Sequence, residues 1–250
     1  MAVSIRGRVP LGRRPAHNLI RRLALPAIMT VVMVALTVAL GFWQVRRLEW
    51  KTALLSEIDR GEAGTPIPLG PDPRPFSRVQ AAGQFLSPTA LYGTEVRSTR
   101  DGALMGGQLI QPLRMDDGHV VLVDRGWVPE ASSAFASALL PPSVTPVGTV
   151  TVTGYVRPAE YPVRFGAADD PVTHRFYALD PVAIGASLGV TAAPYTLVAL
   201  GPAHPGVTPE PATALPRPVN NHFAYAVTWF VFAGCALAIF AVYARKVIRP

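Results

Sequence analysis

The sequence predicts a membrane protein of mixed α+β structure, in which two transmembrane helices flank an antiparallel β-rich extracytoplasmic domain. Three observations lead to this prediction: a long uncharged apolar stretch near each terminus, basic residues concentrated in both tails, and short strand-like runs between them. Strands at such spacing, with few helices between them, are typical of a small sandwich or an open barrel with short helices.

Residues 23–45 and 223–244 contain no charged side chain. At a rise of about 1.5 Å per residue, each stretch forms a helix of roughly 33 Å, which crosses a hydrocarbon core of about 30 Å. A secretory signal has a shorter apolar region of about 7–15 residues and a small-residue cleavage site, and WQVRRLEWK after the first stretch offers no such site. The first stretch is therefore predicted to stay in the protein as an anchor.

The net charge of +7 is unevenly distributed along the chain. Nine of the 23 lysines and arginines lie in the tails 1–22 and 245–250, so residues 46–222 hold the other 14 together with all 16 acidic residues and carry a net charge of −2. Nucleic-acid binding is disfavoured, because it requires a basic face on the folded domain. Basic residues beside a span favour the cytoplasmic side. Both tails are therefore predicted to be cytoplasmic, with residues 46–222 outside the cell (plasma) membrane.

Six runs rich in β-branched and aromatic residues predict the strands of the outer domain. They are 77–85, 89–99, 104–115, 119–128, 149–157 and 195–200. The segment 116–118, Asp-Asp-Gly, joins two of them as a hairpin turn does. Short helices are predicted over 130–140 and 180–188, the second with Asp180 as N-cap and Pro181 at the first helical position.

The segments that connect the spans to these strands also have recognisable patterns. Leu54, Leu55 and Ile58 recur at helical spacing, which predicts that the first helix continues beyond the membrane as far as Gly61. Proline-rich residues 65–75 are predicted to form a spacer or an extended surface strap. Residues 201–218, which are also rich in proline, are predicted to be a linker to the second span.

The residue pattern predicts no catalytic residue. The one cysteine, Cys235, lies in the second apolar stretch, so the outer domain has no thiol redox pair, thiol copper site or covalent haem attachment. No serine occurs in G-x-S-x-G or S-x-x-K, and His119, His174 and His204 lack metal-binding spacing. A membrane-anchored hydrolase stays open only if folding brings a serine and a histidine together.

Two segments rich in polar and aromatic residues meet at the outer membrane surface if both tails are cytoplasmic. They are LGFWQVRRLEWK at 40–51 and VNNHFAYAVTWF at 219–230. Their aromatic residues occupy the position of an interfacial belt. These are Trp43, Trp50, Tyr225 and Trp229. A belt does not account for the polar residues in these segments, because a polar group near hydrocarbon needs a partner. These residues are Gln44, Asn220, Asn221 and His222.

Small residues share a helical face with these polar groups. In the second span, residues at three- and four-residue spacing follow His222 on one face. They are Ala226, Trp229, Ala233 and Ala236. In the first span, Thr37, Gly41 and Gln44 form a similar line. Such faces admit either another helix or a flat ligand, and the sequence leaves both open.

These two segments resemble the membrane signatures of the surfeit-locus cytochrome c oxidase assembly family, the Surf/Shy class. The first matches at Leu40, Gly41, Trp43, Gln44, Arg47, Trp50 and Lys51, and the second at Asn220, Asn221, His222, Tyr225, Ala226, Trp229 and Phe230. Three blocks between them, VQAAGQF, VLVDRGWVP and VTGYVRP, resemble the family's outer-domain blocks. They match at Gly83, Phe85, Arg125, Gly126, Trp127, Val128, Pro129, Gly154 and Arg157. The segment THRFYALDP departs from the family's pattern.

The resemblance implies an assembly factor for haem-copper (aa3-type) cytochrome c oxidase, and not an enzyme. It implies that haem a is held, either stably or transiently, for the large haem-bearing subunit, with oxidase subunits and haem a synthase as partners in the lipid bilayer. His222 is then expected as the axial ligand of the haem iron. The other residues expected at the haem are Tyr225, Trp229, Trp43, Gln44, Arg47 and Lys51, with Arg46 as a further cation for the propionates.

Several alternatives stay open from sequence. The protein could be a scaffold that binds no haem and stabilises oxidase subunits or a respiratory supercomplex. His222 could merely cap its helix or form a hydrogen bond at the membrane mouth. In the outer domain, Arg125, Gly126 and Trp127 could form a contact with the client, or Trp127 could be a core residue that ends a strand.

Overall fold

The computed structural model describes residues 16–99, 102–130, 146–202 and 207–249. The helices in these ranges are α1 (Ala16–Ala63), α2 (Pro181–Ser187) and α3 (His222–Ile248). The strands are β1 (Ile67–Pro68), β2 (Arg78–Phe85), β3 (Ala90–Thr99), β4 (Gly102–Met115), β5 (Val120–Pro129), β6 (Val150–Pro158), β7 (Arg175–Phe176) and β8 (Ala192–Ala199). The chain divides into two compact units, one of Met1–Ala53 with Val219–Pro250 and one of Leu54–Pro218.

The strands of the second unit form a small barrel. Their order is β1-β2-β6-β8-β5-β4-β3-β7, and an additional pairing of β2 with β4 closes the five strands β2, β6, β8, β5 and β4 into a ring. Strand β4 pairs with β5 and, because it is long, with two further strands: its first part pairs with β3, and Leu113–Met115 pair with β2. At the closure a Cβ on Gly83 would lie 2.3 Å from the backbone oxygen of Arg114. Of the two predicted architectures, the structure therefore has the barrel, and it is closed.

The prediction of an antiparallel sheet needs a correction. Strand β5 pairs parallel to β8, and the short strands β1 and β7 pair parallel to β2 and β3. Parallel neighbours need a crossover connection, and here β6, β7 and α2 lie between β5 and β8 along the chain. The other neighbouring strands in the ring are antiparallel, as predicted.

Successive side chains of a strand point to opposite faces, and this divides the hydrophobic core between the inside of the barrel and its outside. Val121 and Val123 of β5 lie inside the barrel, while Leu122 between them packs on the opposite face against α2. The interior cluster also contains Val79, Ala81, Leu113, Val156, Tyr195 and Leu197. Helix α2 begins as predicted, because Asp180 accepts hydrogen bonds from the backbone N–H groups of Val182 and Ala183.

The last turns of α1 belong to the barrel unit. Ile58 is only 1% exposed and packs with Tyr155, Val198 and Leu215. The predicted extension of this helix is therefore confirmed. A Cβ on Gly61 would lie 2.0 Å from the backbone oxygen of Phe76, so the chain approaches the helix end closely at this point.

The second proline-rich segment is not a free linker. Glu210 and Trp127 exchange two backbone hydrogen bonds, each of 2.9 Å, and Ala212 bridges to Leu200. We call residues 207–218 the strap, because they run along the outside of the barrel. This name refers only to residues 207–218 and not to the proline-rich residues 65–75. The turn at 116–118 is a hairpin turn as predicted, with Gly118 at φ +86. The helix predicted over 130–140 lies, after Glu130, outside the described residues.

Gly126 is the position where the strap meets β5. Its φ is +117, and a Cβ there would lie 2.0 Å from the Glu210 backbone oxygen. Its N–H donates to Asp124 Oδ1 over 3.0 Å. Burial of Asp124 raises the pKa of its carboxyl to about 6. Two constraints, backbone conformation and close approach, thus require glycine at this position.

Substitution Gly126→Ala is expected to destabilise the protein by roughly 3 kcal/mol or more, because it combines backbone strain with a clash against the strap. The matched control is Gly118→Ala, which has a positive φ but nothing within 4 Å of the added Cβ, and should cost about 1–2 kcal/mol. Denaturant unfolding of the purified chain measures both. Equal losses would show that the strap contact contributes nothing.

Candidate functional site

Helices α1 and α3 run antiparallel in the first unit. Phe42 packs edge-on against Phe230 with ring centroids 5.6 Å apart, and the Tyr243 hydroxyl donates to the Arg22 backbone oxygen over 3.1 Å. The predicted small and polar faces are the buried ones. Their buried members are Thr37, Gly41, Gln44, Ala226 and Ala233. Of the two occupants left open by the sequence, these faces therefore contact another helix.

Gly41 sets how closely the two helices approach. A Cβ at this residue would lie 2.7 Å from the Phe230 ring. Thr37, one turn earlier, turns its hydroxyl back to the Met33 carbonyl over 2.8 Å and so needs no partner on the other helix. The contact around Gly41 is therefore apolar, and the polar side chains of Gln44 and His222 lie beyond it, towards the start of α3.

The central contact of the site joins His222 and Gln44. His222 is the first residue of α3, and its Nδ1 lies 2.7 Å from Gln44 Oε1. Gln44 is 9% exposed, and His222 is half-buried. Because an amide oxygen only accepts, Nδ1 donates to it, and in the neutral ring Nε2 then carries the lone pair. Asn221, not His222, is the N-cap residue, and its side chain makes no capping bond.

A second polar pair lies beside this contact. Asn220 Nδ2 donates to Thr52 Oγ1 over 3.4 Å, while Asn220 Oδ1 is buried without a hydrogen-bond partner among the described residues. The sequence marked Asn220 as a polar group in need of a partner but gave no sign of Thr52. The pairing follows only from the antiparallel course of the two helices.

The remaining predicted site residues surround this pair on the two helices. Tyr225 is exposed, and Trp229 is half-buried with its ring edge-on to Phe232 at 6.0 Å. On α1, Trp43 is exposed, Arg47 stacks its guanidinium 4.0 Å from the centre of the Trp50 ring, and Lys51 is half-buried. The structure thus joins Gln44 directly to His222. It places the other five within about two helical turns of one of these two.

Comparison with known proteins identifies the family. The model described as the SURF1 family matches residues 31–234. The chain belongs to the SURF1 family. The SURF1-like protein of Rickettsia felis is 27% identical over 225 residues, which cover 87% of this chain and 97% of the relative. Surfeit locus protein 1 of Xenopus tropicalis is 30% identical over 236 residues, with 85% and 73% covered. The mouse protein of that name is 27% identical over 229 residues, with 84% and 72% covered.

The blocks of the outer domain that resemble SURF1 proteins serve the fold. Trp127 is only 4% exposed, and its indole Nε1 donates to the Glu95 backbone oxygen over 3.3 Å. Arg125 Nη1 donates to Gln111 Oε1 over 2.7 Å, and its guanidinium lies 4.8 Å from the centre of the Phe85 ring. Of the two readings of this block, Trp127 is the core residue, and it offers no exposed surface to a client.

One serine and one histidine lie near each other in the barrel unit. His174 Nδ1 is 3.4 Å from Ser187 Oγ, but that hydroxyl donates to the Ile184 carbonyl over 2.9 Å. Ser187 is thus engaged in α2 by an ordinary intrahelical bond. An activated nucleophile needs its proton directed at the base, so this pair does not support a hydrolase.

Substitution Gly41→Leu is expected to lower the stability of the helix pair by about 1–3 kcal/mol, because the added side chain displaces Phe230. Gly234→Leu in α3 is the matched control, since a Cβ there meets nothing within 4 Å and the gain in helix propensity is the same. Thermal unfolding in detergent compares the two. A midpoint equally unchanged in both variants would contradict close packing at Gly41.

Proposed function

We propose that this protein is a membrane-bound assembly factor for haem-copper (aa3-type) cytochrome c oxidase, and that it holds haem a for the oxidase's large subunit. Membership of the SURF1 family supports a role in cytochrome c oxidase assembly. The observation that carries the haem proposal is the contact of Gln44 with His222, because it prepares one imidazole nitrogen for a metal.

The proposal places α1 and α3 across the plasma membrane as a multi-pass protein. Both helices are long and apolar enough to cross a bilayer, and large apolar side chains such as Leu36 and Phe232 are exposed on them. Exposed apolar surface of this extent favours contact with lipid. The basic tails favour a cytoplasmic location for both termini, with the barrel outside.

The residues at the Gln44–His222 contact fit haem. When bound, haem supplies an iron that accepts an imidazole nitrogen as axial ligand. The hydrogen bond from Nδ1 to Gln44 fixes the ring orientation and leaves the Nε2 lone pair for that iron, the arrangement common for metal-binding histidines. The buried, unpartnered Asn220 Oδ1 is a further acceptor at this end of the helix pair.

Each remaining site residue has a physical role in this proposal. Arg47 and Lys51 meet propionate carboxylates through charge-assisted hydrogen bonds. Tyr225, Trp229 and Trp43 offer flat apolar surfaces to the macrocycle. Because α1 occupies the small-residue face of α3, these residues would hold haem on the outside of the helix pair and not between the two helices.

A site with one protein ligand suits transfer. His222 would be the one residue of this chain that binds the iron, which would leave the iron able to accept a group from a receiving protein. The large haem-bearing subunit is the proposed receiver, and haem a synthase is the proposed donor. Gln44 and the two cations hold the group without enclosing it, which permits release.

A scaffold without haem is the second candidate function. The loop after β6 exposes three large apolar side chains, Tyr161, Val163 and Phe165, the last of them 94% exposed. Such a patch favours a protein contact. Purification of the protein with oxidase subunits but without haem would favour this candidate.

Deletion of the gene tests the proposed function. Membranes of the deletion strain should show a reduced haem a absorption band and reduced oxidase activity, because the large subunit then lacks its supply of haem. A plasmid copy of the full chain should restore both. Membranes with undisturbed oxidase would contradict the assignment.

The variant His222→Ala tests the ligand. Purified from cells that produce haem a, it should carry less haem per protein than the wild type, by roughly tenfold or more, with the absorption spectrum as the measurement. Gln44→Ala should weaken binding by a similar factor and shift the Soret band of the remaining haem, since the ring loses its orientation. Asn221→Ala is the control, because its side chain makes no capping bond. Equal haem in His222→Ala and wild type would exclude His222 as ligand and leave the assembly role standing.

A further inference from the structure

A basic cleft lies in the barrel unit, between the end of α1 and the start of β2. It has a volume of about 440 Å³. Three arginines from different parts of the chain line it: Arg60 of α1, Arg74 of the proline-rich segment and Arg78 of β2. The one acidic residue in the lining is Asp72, so the cleft carries a formal charge of +2.

Two of the acidic residues nearest in sequence to Arg60 form ion pairs with another arginine. Arg217 of the strap pairs with Asp59 over 2.9 Å and also with Glu62. Glu57 lines an adjoining cavity beside Arg60 and Arg74. Among the described residues, no carboxylate forms an ion pair with any of the three cleft arginines. Within the described part of the chain, the side chain of Arg60 forms one hydrogen bond, from Nε to the Ser56 backbone oxygen in the same helix.

Arg78 gives the second, independent observation. Its Nε is buried and has no hydrogen-bond partner among the described residues. Leaving a buried N–H of a charged group without an acceptor costs free energy, so such an atom calls for an acceptor. An anion in the cleft would supply one.

We infer that this cleft binds a phosphate group. Three guanidinium groups present planar pairs of N–H donors, which match the oxygens of a phosphate in a bidentate manner. A phosphate monoester carries a charge of roughly −1.5 to −2, which balances the +2 of the lining, whereas a single carboxylate balances half of it. The phosphate belongs either to a small soluble ester or to a lipid headgroup. This site does not depend on the proposed role of His222.

Inorganic phosphate is the first probe. The full chain in detergent should bind it saturably in isothermal titration calorimetry at constant ionic strength, with chloride as the comparison anion. Arg74→Gln and Arg78→Gln should each raise the Kd roughly tenfold, since each removes charge-assisted hydrogen bonds. Arg114→Gln is the matched control, an exposed arginine of β4 outside the cleft, and should bind as the wild type does. His222→Ala should also bind normally, which separates this site from the haem proposal.

Two further arms identify the source of the phosphate. One titrates glycerol phosphate in detergent, and the other compares thermal unfolding in nanodiscs of phosphatidylcholine alone and with phosphatidic acid. If glycerol phosphate binds the wild type and not Arg74→Gln, the source is a soluble ester. If phosphatidic acid raises the unfolding temperature of the wild type and not of Arg74→Gln, the source is a lipid headgroup. The inference is overturned if phosphate binds no better than chloride, or if Arg114→Gln weakens binding as much as the cleft variants. Arg74 is exposed, so this variant keeps the test valid even if Arg78→Gln does not fold.

Discussion

The hydrogen bond between Gln44 and His222 is the constraint on which the arrangement of the site depends. Both side chains lie at one end of a helix pair that packs through small and aromatic residues in its middle, and a polar group near hydrocarbon must find a partner. Gly41 makes the partnership possible, because a larger residue would meet Phe230. Close packing at a small residue therefore allows the Nδ1 atom of His222 to bond to Gln44 on the other helix.

The barrel unit depends on a related constraint, the close approach of backbone to backbone. Gly83 permits β2 to pair with β4 and close the ring, and Gly126 permits the strap to dock on β5. Both glycines belong to blocks that resemble the family's outer-domain blocks, and from sequence the block with Gly126 also allowed a reading as a client contact. In the structure these blocks bury Trp127 and engage Arg125, so their residue types are explained by the fold itself. A client surface has to be sought in exposed groups.

The sequence predicts those features that local patterns determine. The uncharged apolar stretches predict helices α1 and α3, the Asp-Asp-Gly segment predicts the hairpin turn at 116–118, and Asp180 predicts the start of α2. All of these elements occur where predicted. Ring closure, the parallel pairing of β5 with β8 and the docking of the strap join residues far apart in the chain, which no local period encodes. The site shows the same division. The prediction of two antiparallel spans already placed Gln44 near His222. The hydrogen bonds of Thr52 and Tyr243 depend on how the two helices are aligned along each other, which only the structure shows.

The distribution of ion pairs separates the roles of the arginines. Arg97, Arg157 and Arg217 pair with carboxylates and join loops or the strap to strands and helix. Surface ion pairs contribute only about 0–1 kcal/mol each, and these pairs are all at least partly exposed to solvent, so their value lies in positioning. Arg60, Arg74 and Arg78 meet at one cleft without forming an ion pair in the described part of the chain, although residues 46–222 carry an excess of acid. Mutual repulsion opposes folding there, so stability does not account for the cluster. The proposed anionic ligand accounts for the cluster, because it supplies the negative charge that the three arginines lack.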